Sequence, residues 1–163
     1  MVQGYSKLQI RLHWAVVVLV ALQLIFHEGM SNAYAAGMKV GNLTFSTPVI
    51  LHFIFGTTIT ALMLWRLMMR QERGVPPAPE GEPKQFQLAG KLAHVAFYVV
   101  LLLLPVTGAV AWGGANQGAA NVHEILKFIL LALIAAHIGA ALIHQFVWKT
   151  DLLDRMRTPD PDA

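Results

Sequence analysis

Four long stretches of this chain contain no charged side chain: Leu12 to Phe26, Val40 to Trp65, Leu92 to Val122 and Phe128 to Trp148. An α-helix rises about 1.5 Å per residue, so about 20 residues cross the roughly 30 Å hydrocarbon layer of a bilayer. With its flanks, each stretch reaches that length. The third divides naturally, because apolar Leu92 to Trp112 gives way to the loop-forming Gly113, Gly114, Asn116, Gln117 and Gly118. Apolar residues lie on all helical faces, which fits membrane spans rather than the amphipathic helices of a soluble core. No internal repeat and no strand-like alternation competes. The expected fold is all-α and integral to the membrane: a four-helix transmembrane bundle, one domain over residues 1–163. Its spans are expected near 10–30, 48–70, 91–112 and 122–148, with a Pro-rich linker over 71–90.

Composition enters where it excludes chemistry. Hydrophobic residues make up 56% and charged residues 13%, against roughly 45–50% and about 25% in soluble domains. Cysteine is absent, which removes iron–sulfur clusters, thiolate-ligated haem, disulfides and Cys-type zinc sites. A net charge of +3 is too small to argue for a nucleic-acid partner.

Orientation follows from the basic residues. Lys7, Arg11, Arg66, Arg70, Arg73, Lys84, Lys91, Lys149, Arg155 and Arg157 fall on the side of the termini and the central linker, and only Lys39 and Lys127 on the other. By the positive-inside rule both termini are expected in the cytoplasm. Trp65, Trp112 and Trp148 stand at the span ends, where amphipathic rings settle at the interface. Lys7 and Arg11, an apolar run and Ala33-Tyr34-Ala35 also have the form of a secretory signal with a cleavage site. We expect the segment to be retained as the first span.

Seven histidines in so apolar a chain need an explanation, because an intramembrane histidine is costly and usually functional. A single one is as readily a helix–helix hydrogen-bond partner as a ligand. Their arrangement is more telling. His123 and His137 are 14 residues apart, which returns to within about 40° of one helix face with a rise of about 21 Å. One face thus offers imidazoles at two depths, as two haems stacked across a bilayer require. His13, in the inner half of the first span, and His52, in the outer half of the second, suit the opposite axial positions. Bis-imidazole ligation would close both sides of each iron and leave an electron carrier. Spacing alone leaves one ambiguity: His144 shares the face of His137 and also matches the depth of His13. His94 begins the third span near the cytoplasmic surface. His27, beside Glu28, reads as solvated. Met63, Met68 and Met69 read as packing residues. Gly56, one turn after His52, and the small residues around His137 allow close backbone approach or room for a flat ring.

Tyr5-Ser6-x-Leu8-Gln9-Ile10-x-x-His13-Trp14 resembles the opening of the prokaryotic cytochrome b561 family. The resemblance continues through His52-x3-Gly56, Trp65-Arg66-Leu67, Leu92-Ala93-His94, Leu104-Pro105-Val106-Thr107-Gly108 and His123-Glu124. It closes on His137-x6-His144 and Phe146-Val147-Trp148-Lys149. It implies a four-helix bundle of the bacterial inner membrane carrying two haem b groups, with ligands His13 with His137 and His52 with His123. It also implies transmembrane electron transfer with the quinone pool. The most specific form is superoxide:quinone oxidoreductase, in which the outer haem takes an electron from superoxide or another periplasmic donor. His94, His144 and Lys91 resemble positions near the quinone, either ubiquinone or a related one. Lys127, one turn beyond His123, could face an outer-haem propionate or the incoming substrate, or simply pair with Glu124. Two other functions fit a chain of this kind. One is a cytochrome b membrane subunit relaying electrons for a dehydrogenase or hydrogenase. The other is a haem-free, histidine-lined metal transporter, against which stands the near absence of intramembrane carboxylates.

Overall fold

The computed structural model describes residues 4–160; the first and last three residues of the expected 1–163 domain lie outside the described residues. The described residues form five α-helices and one short 3₁₀ turn, with no strand. They are α1 (Lys7–Ile25), α2 (His27–Val40), α3 (Thr47–Arg73), α4 (Lys84–Gly113) and α5 (Gln117–Phe146). Four of them, α1, α3, α4 and α5, are long and apolar enough to cross a membrane. The chain is a multi-pass membrane protein.

Local sequence explains where these helices start and stop. Ser6 Oγ accepts from the Gln9 amide while Gln9 Oε1 accepts from the Ser6 amide, so the Tyr5-Ser6-x-Leu8-Gln9 motif is a capping box that starts α1. Pro48 sits in the first turn of α3, where its missing N–H costs no helical bond. Asn116 caps α5 by accepting from the Ala119 amide at 2.9 Å. Gly41, at φ 70°, closes α2 in the left-handed conformation.

The first span departs from its expected limits of 10–30. α1 ends at Ile25, Phe26 leaves helical geometry at φ −93°, ψ 9°, and α2 begins at His27. Ala33-Tyr34-Ala35 therefore lies inside a helix that folds back against the bundle. Gly29 and Gly37 permit that approach. A Cβ on Gly29 would stand 2.9 Å from Pro48, and one on Gly37 2.6 Å from Leu43. α3 and α4 overrun their expected limits at both ends, while α5 begins earlier than expected and ends at Phe146, short of 148, leaving 74–83 between α3 and α4 and 114–116 between α4 and α5.

The core is small, as suits a bundle whose outward faces meet lipid. Val16, Ile59, Met63, Val100, Leu101 and Leu130 form its buried centre. Val18, Ile54, Val106 and Ile125 are each more than half exposed, the expected state of side chains whose solvent is hydrocarbon. Leu130 is seven residues from both His123 and His137, so this apolar centre lies between the two histidine levels. Met63 packs within it, and Met68 is exposed. Trp112 is a correction: expected at the interface, it is only 7% exposed, enclosed by Tyr34 of α2, Phe45 and Phe53.

The two ends of the described chain meet. The Gly4 amide donates to Asp160 Oδ2, the Asp160 amide to the Tyr5 carbonyl, and Trp14 Nε1 to the Met156 carbonyl. Burial raises the Tyr5 phenol above its usual range, an effect opposed by Arg70, Arg66 and Arg155.

Candidate functional site

The fold brings the sequence-predicted histidines together in two pairs. His13 of α1 and His137 of α5 have ring centroids 6.3 Å apart, and His52 of α3 and His123 of α5 have theirs 6.2 Å apart. Two imidazoles bound through one nitrogen each to a single metal ion at about 2 Å have centroids about 6 Å apart. Both pairs match that separation. Among the described residues, no three histidine or carboxylate side chains converge as a cage for a bare ion. The donor set thus fits an iron whose other ligands come from a planar macrocycle.

The His52–His123 pair is built in most detail. His123 Nδ1 lies 2.9 Å from the Leu104 carbonyl and 3.1 Å from Thr107 Oγ1. A carbonyl can only accept, so Nδ1 carries the proton and Nε2 is left as the open lone pair. Thr107 in turn donates to the Leu103 and Leu104 carbonyls. Gly108 completes the arrangement, because a Cβ there would sit 3.2 Å from the His123 ring. Across the bundle, Gln23 of α1 donates to the His52 carbonyl at 2.9 Å, and Gly56 makes room for that amide. Leu104, Thr107, Gly108 and Gln23 were not singled out as site residues by sequence reasoning. The Leu104-Pro105-Val106-Thr107-Gly108 motif was the available signal, although its role is visible only across two helices.

His52 and His123 stand in the wall of a cavity of about 490 Å³, within the usual range for cofactor sites. Its deep wall is apolar, with Val20, Ile59, Leu101 and Leu130, and its rim is polar, with Ser31, Gln117, Asn121, Glu124 and Lys127. Lys127 is not a free cation. Its Nζ pairs with Glu124 at 2.6 Å and donates to His27 Nε2 at 3.0 Å. The reading of His27 as solvated is therefore corrected, since α2 turns it toward a residue 100 positions away. Tyr34 also belongs to this wall, and its hydroxyl is buried without a hydrogen-bond partner among the described residues. Such a group costs roughly 1–3 kcal/mol when left unmet.

At the His13–His137 pair, His137 is packed by His94, 5.7 Å between centroids, and by Phe97 at 5.5 Å. His94 Nδ1 lies 2.7 Å from the Gly90 carbonyl, so it too donates to the backbone. Lys91 is exposed one turn away on α4. His144 stands apart from both pairs. It is buried, with Nδ1 at 3.0 Å from Thr150 Oγ1, Nε2 at 3.5 Å from Glu82, and its ring edge-on to Trp148. It joins α5 to the linker and to the segment after the helix.

The family described as prokaryotic cytochrome b561 matches residues 4–159. Cytochrome b562 of Cereibacter sphaeroides is 36% identical over 156 residues, covering 96% of each chain. Cytochrome b561 homolog 1 of Escherichia coli K12 is 29% identical over 177 residues, covering 93% of this chain and 96% of its own. The probable superoxide oxidase CybB of Yersinia pestis is 32% identical over 179 residues, covering 93% and 94%. With its four membrane-length helices and facing histidines, the chain belongs to the prokaryotic cytochrome b561 family, haem b proteins of the bacterial inner membrane that carry electrons across it.

Proposed function

We propose that this chain moves electrons from superoxide at the outer face to quinone at the inner face, using two b haems. His52 and His123 hold the outer haem, and His13 and His137 the inner. Two paired imidazole sites at two depths of one bundle are the observation that carries this reading. A b haem held by two such imidazoles would supply reversible one-electron transfer.

The residues divide the work. Leu104 and Thr107 fix the His123 tautomer, and Gln23 ties the backbone of His52 to α1. Leu130 and its neighbours keep the space between the pairs dry. At the inner end, His94 and Lys91 would receive a quinone headgroup, and His144 pins the linker and the C-terminal segment beside them. Two superoxide anions give two dioxygen molecules and two electrons, and one quinone takes those electrons with two cytoplasmic protons to form quinol. The excess of basic residues on the side of the termini and linker supports a cytoplasmic position for both termini. The similarity to the Yersinia protein supports superoxide as donor.

One observation favours a second reading. Lys127, on the rim and four positions from His123, is already matched by Glu124, which lowers the attraction of the rim for an anion. A relay from another periplasmic or membrane donor, serving a partner dehydrogenase or hydrogenase, needs no such attraction. Stopped-flow mixing of superoxide with the oxidised protein separates the two. Fast reduction followed by quinone-dependent reoxidation supports the first, and haems that stay oxidised support the second.

A further inference from the structure

Arg66 belongs to the Trp65-Arg66-Leu67 motif of α3, seven residues before that helix ends at Arg73. It follows His52 by 14 residues on α3, as His137 follows His123 on α5. The two helices run the same way, because α1 is antiparallel to both. Gln23 near the end of α1 meets His52 near the start of α3, and His13 near its start meets His137 late in α5. Fourteen residues return to nearly the same helix face about 21 Å along, so Arg66 stands at the level of the His13–His137 pair and faces the bundle. An arginine near a span end ordinarily carries its head to the interface. This one turns across to α1, where Nη1 donates to the Gln9 carbonyl at 3.1 Å, one turn from His13. Tyr98 of α4, one turn from His94, is its other hydrogen-bond partner. Its charge acts on His13, His94 and His137 alike.

Among the described residues this charge is unmatched. The ion pairs there involve Lys127, His144 and Arg155, and none includes Arg66. Its hydrogen-bond partners, a carbonyl and a phenol, are neutral. Arg70, one turn on, adds a like charge. At the His52–His123 level, by contrast, Lys127 is cancelled by Glu124. We propose that Arg66 is the residue that raises the reduction potential of the haem held by His13 and His137. This rests on the haem reading given above. Reduction takes one positive charge off the iron, so a fixed cation nearby disfavours the ferric form more than the ferrous one. A unit charge roughly 10 Å away, at an effective dielectric constant of about 20, changes such an equilibrium on the order of tenfold. A guanidinium suits this role because it stays charged when partly buried, and two hydrogen bonds fix its place.

The test is an optical redox titration of the haem-loaded protein in a His52→Ala background, where the His13–His137 haem is read alone. Arg66→Gln is expected to lower its midpoint by the equivalent of about tenfold, or about 59 mV for one electron. Arg66→Lys keeps the charge without the planar fork and is expected to stay near the parent value. In a His13→Ala background, Arg66→Gln should barely move the remaining haem. Equal midpoints for the Gln and Lys variants, or equal shifts of the two haems, would overturn the proposal. The chain has no cysteine, so Arg66→Cys gives a second route should Arg66→Gln lose the haem. A disulfide-linked label ending in an ammonium group is expected to hold the midpoint above that of a neutral methyl label, and equality there would also overturn the proposal. Failure of the underlying reading looks different: His13→Ala would then leave haem content unchanged.

Discussion

His123 of α5 gives its Nδ1 proton to the carbonyl of Leu104 on α4 at 2.9 Å. This one bond ties the histidine to the helix turn beside Pro105 and decides which ring nitrogen is open. An acceptor behind a metal-bound imidazole also raises its basicity. The neighbouring Thr107 oxygen, 3.1 Å away, does the same more weakly. Thr107→Val should raise the outer haem's midpoint potential, because a less basic ligand stabilises ferric iron less. Haem content should stay at the wild-type value, and a potentiometric titration reads both.

Gly108→Ala tests the space rather than the hydrogen bond. The added methyl would stand 3.2 Å from His123 Cε1 and 3.3 Å from Nδ1, so the ring must shift. Disturbing the support of a ligand typically costs about 10–100-fold in affinity. The variant should retain the inner haem and lose the outer one on mild competition with apomyoglobin. Equal retention of both would mean that the ring has slack.

The main ligation pattern has a direct check. A pyridine haemochrome assay should give two haems per chain, and one for His52→Ala or His123→Ala. His13→Ala and His137→Ala should also give one, but with the other spectral component remaining. A single haem in the fully loaded wild type would remove the two-site arrangement.

These sites show which features a linear reading reaches. The spans were legible because hydrophobicity is a local property that needs no partner. The four histidines stood out because a polar ring in an apolar run has few reasons to be there. The break at Phe26 carried no proline or glycine signal, so the first span was expected to run through it, and α2 was missed with it. Trp112 was expected at the interface because its cover comes from α2 and Phe45. His27 and Lys127 are 100 residues apart, and neither has a neighbour in sequence that announces the other. Pairwise facts of this kind belong to the tertiary fold.

His144 can be tested apart from iron. It holds Glu82 of the linker and Thr150 beyond α5, and Trp148 packs on both its ring and Phe86. His144→Ala should therefore preserve both haem spectra while slowing quinone-linked reoxidation of the reduced protein. Loss of the inner haem from this variant would instead make His144 the partner of His13.

The outer rim yields the most demanding prediction. Superoxide is an anion, so positive potential at its entry accelerates arrival and added salt slows it. Lys127 is the basic residue closest in sequence to an outer ligand, four positions from His123, yet Glu124 sits 2.6 Å from its ammonium group. The pair presents almost no net charge at distance. Removing the carboxylate should then help more than a sequence-only argument suggests. Glu124→Gln is expected to speed reduction of the oxidised protein by superoxide by about 3–10-fold at low ionic strength, at the low end of electrostatic steering. Lys127→Glu should slow it by a similar factor, and both effects should shrink as salt approaches about 0.5 M, where screening acts within a few ångströms. Neither change touches a ligand, so both haem spectra should stay at their wild-type positions. Stopped-flow rates across a salt series measure all of this at once. If superoxide reduces all three proteins equally fast at every salt concentration, it reaches the outer haem without electrostatic guidance from this pair. If it reduces none of them, the donor is another molecule, and the relay reading takes its place.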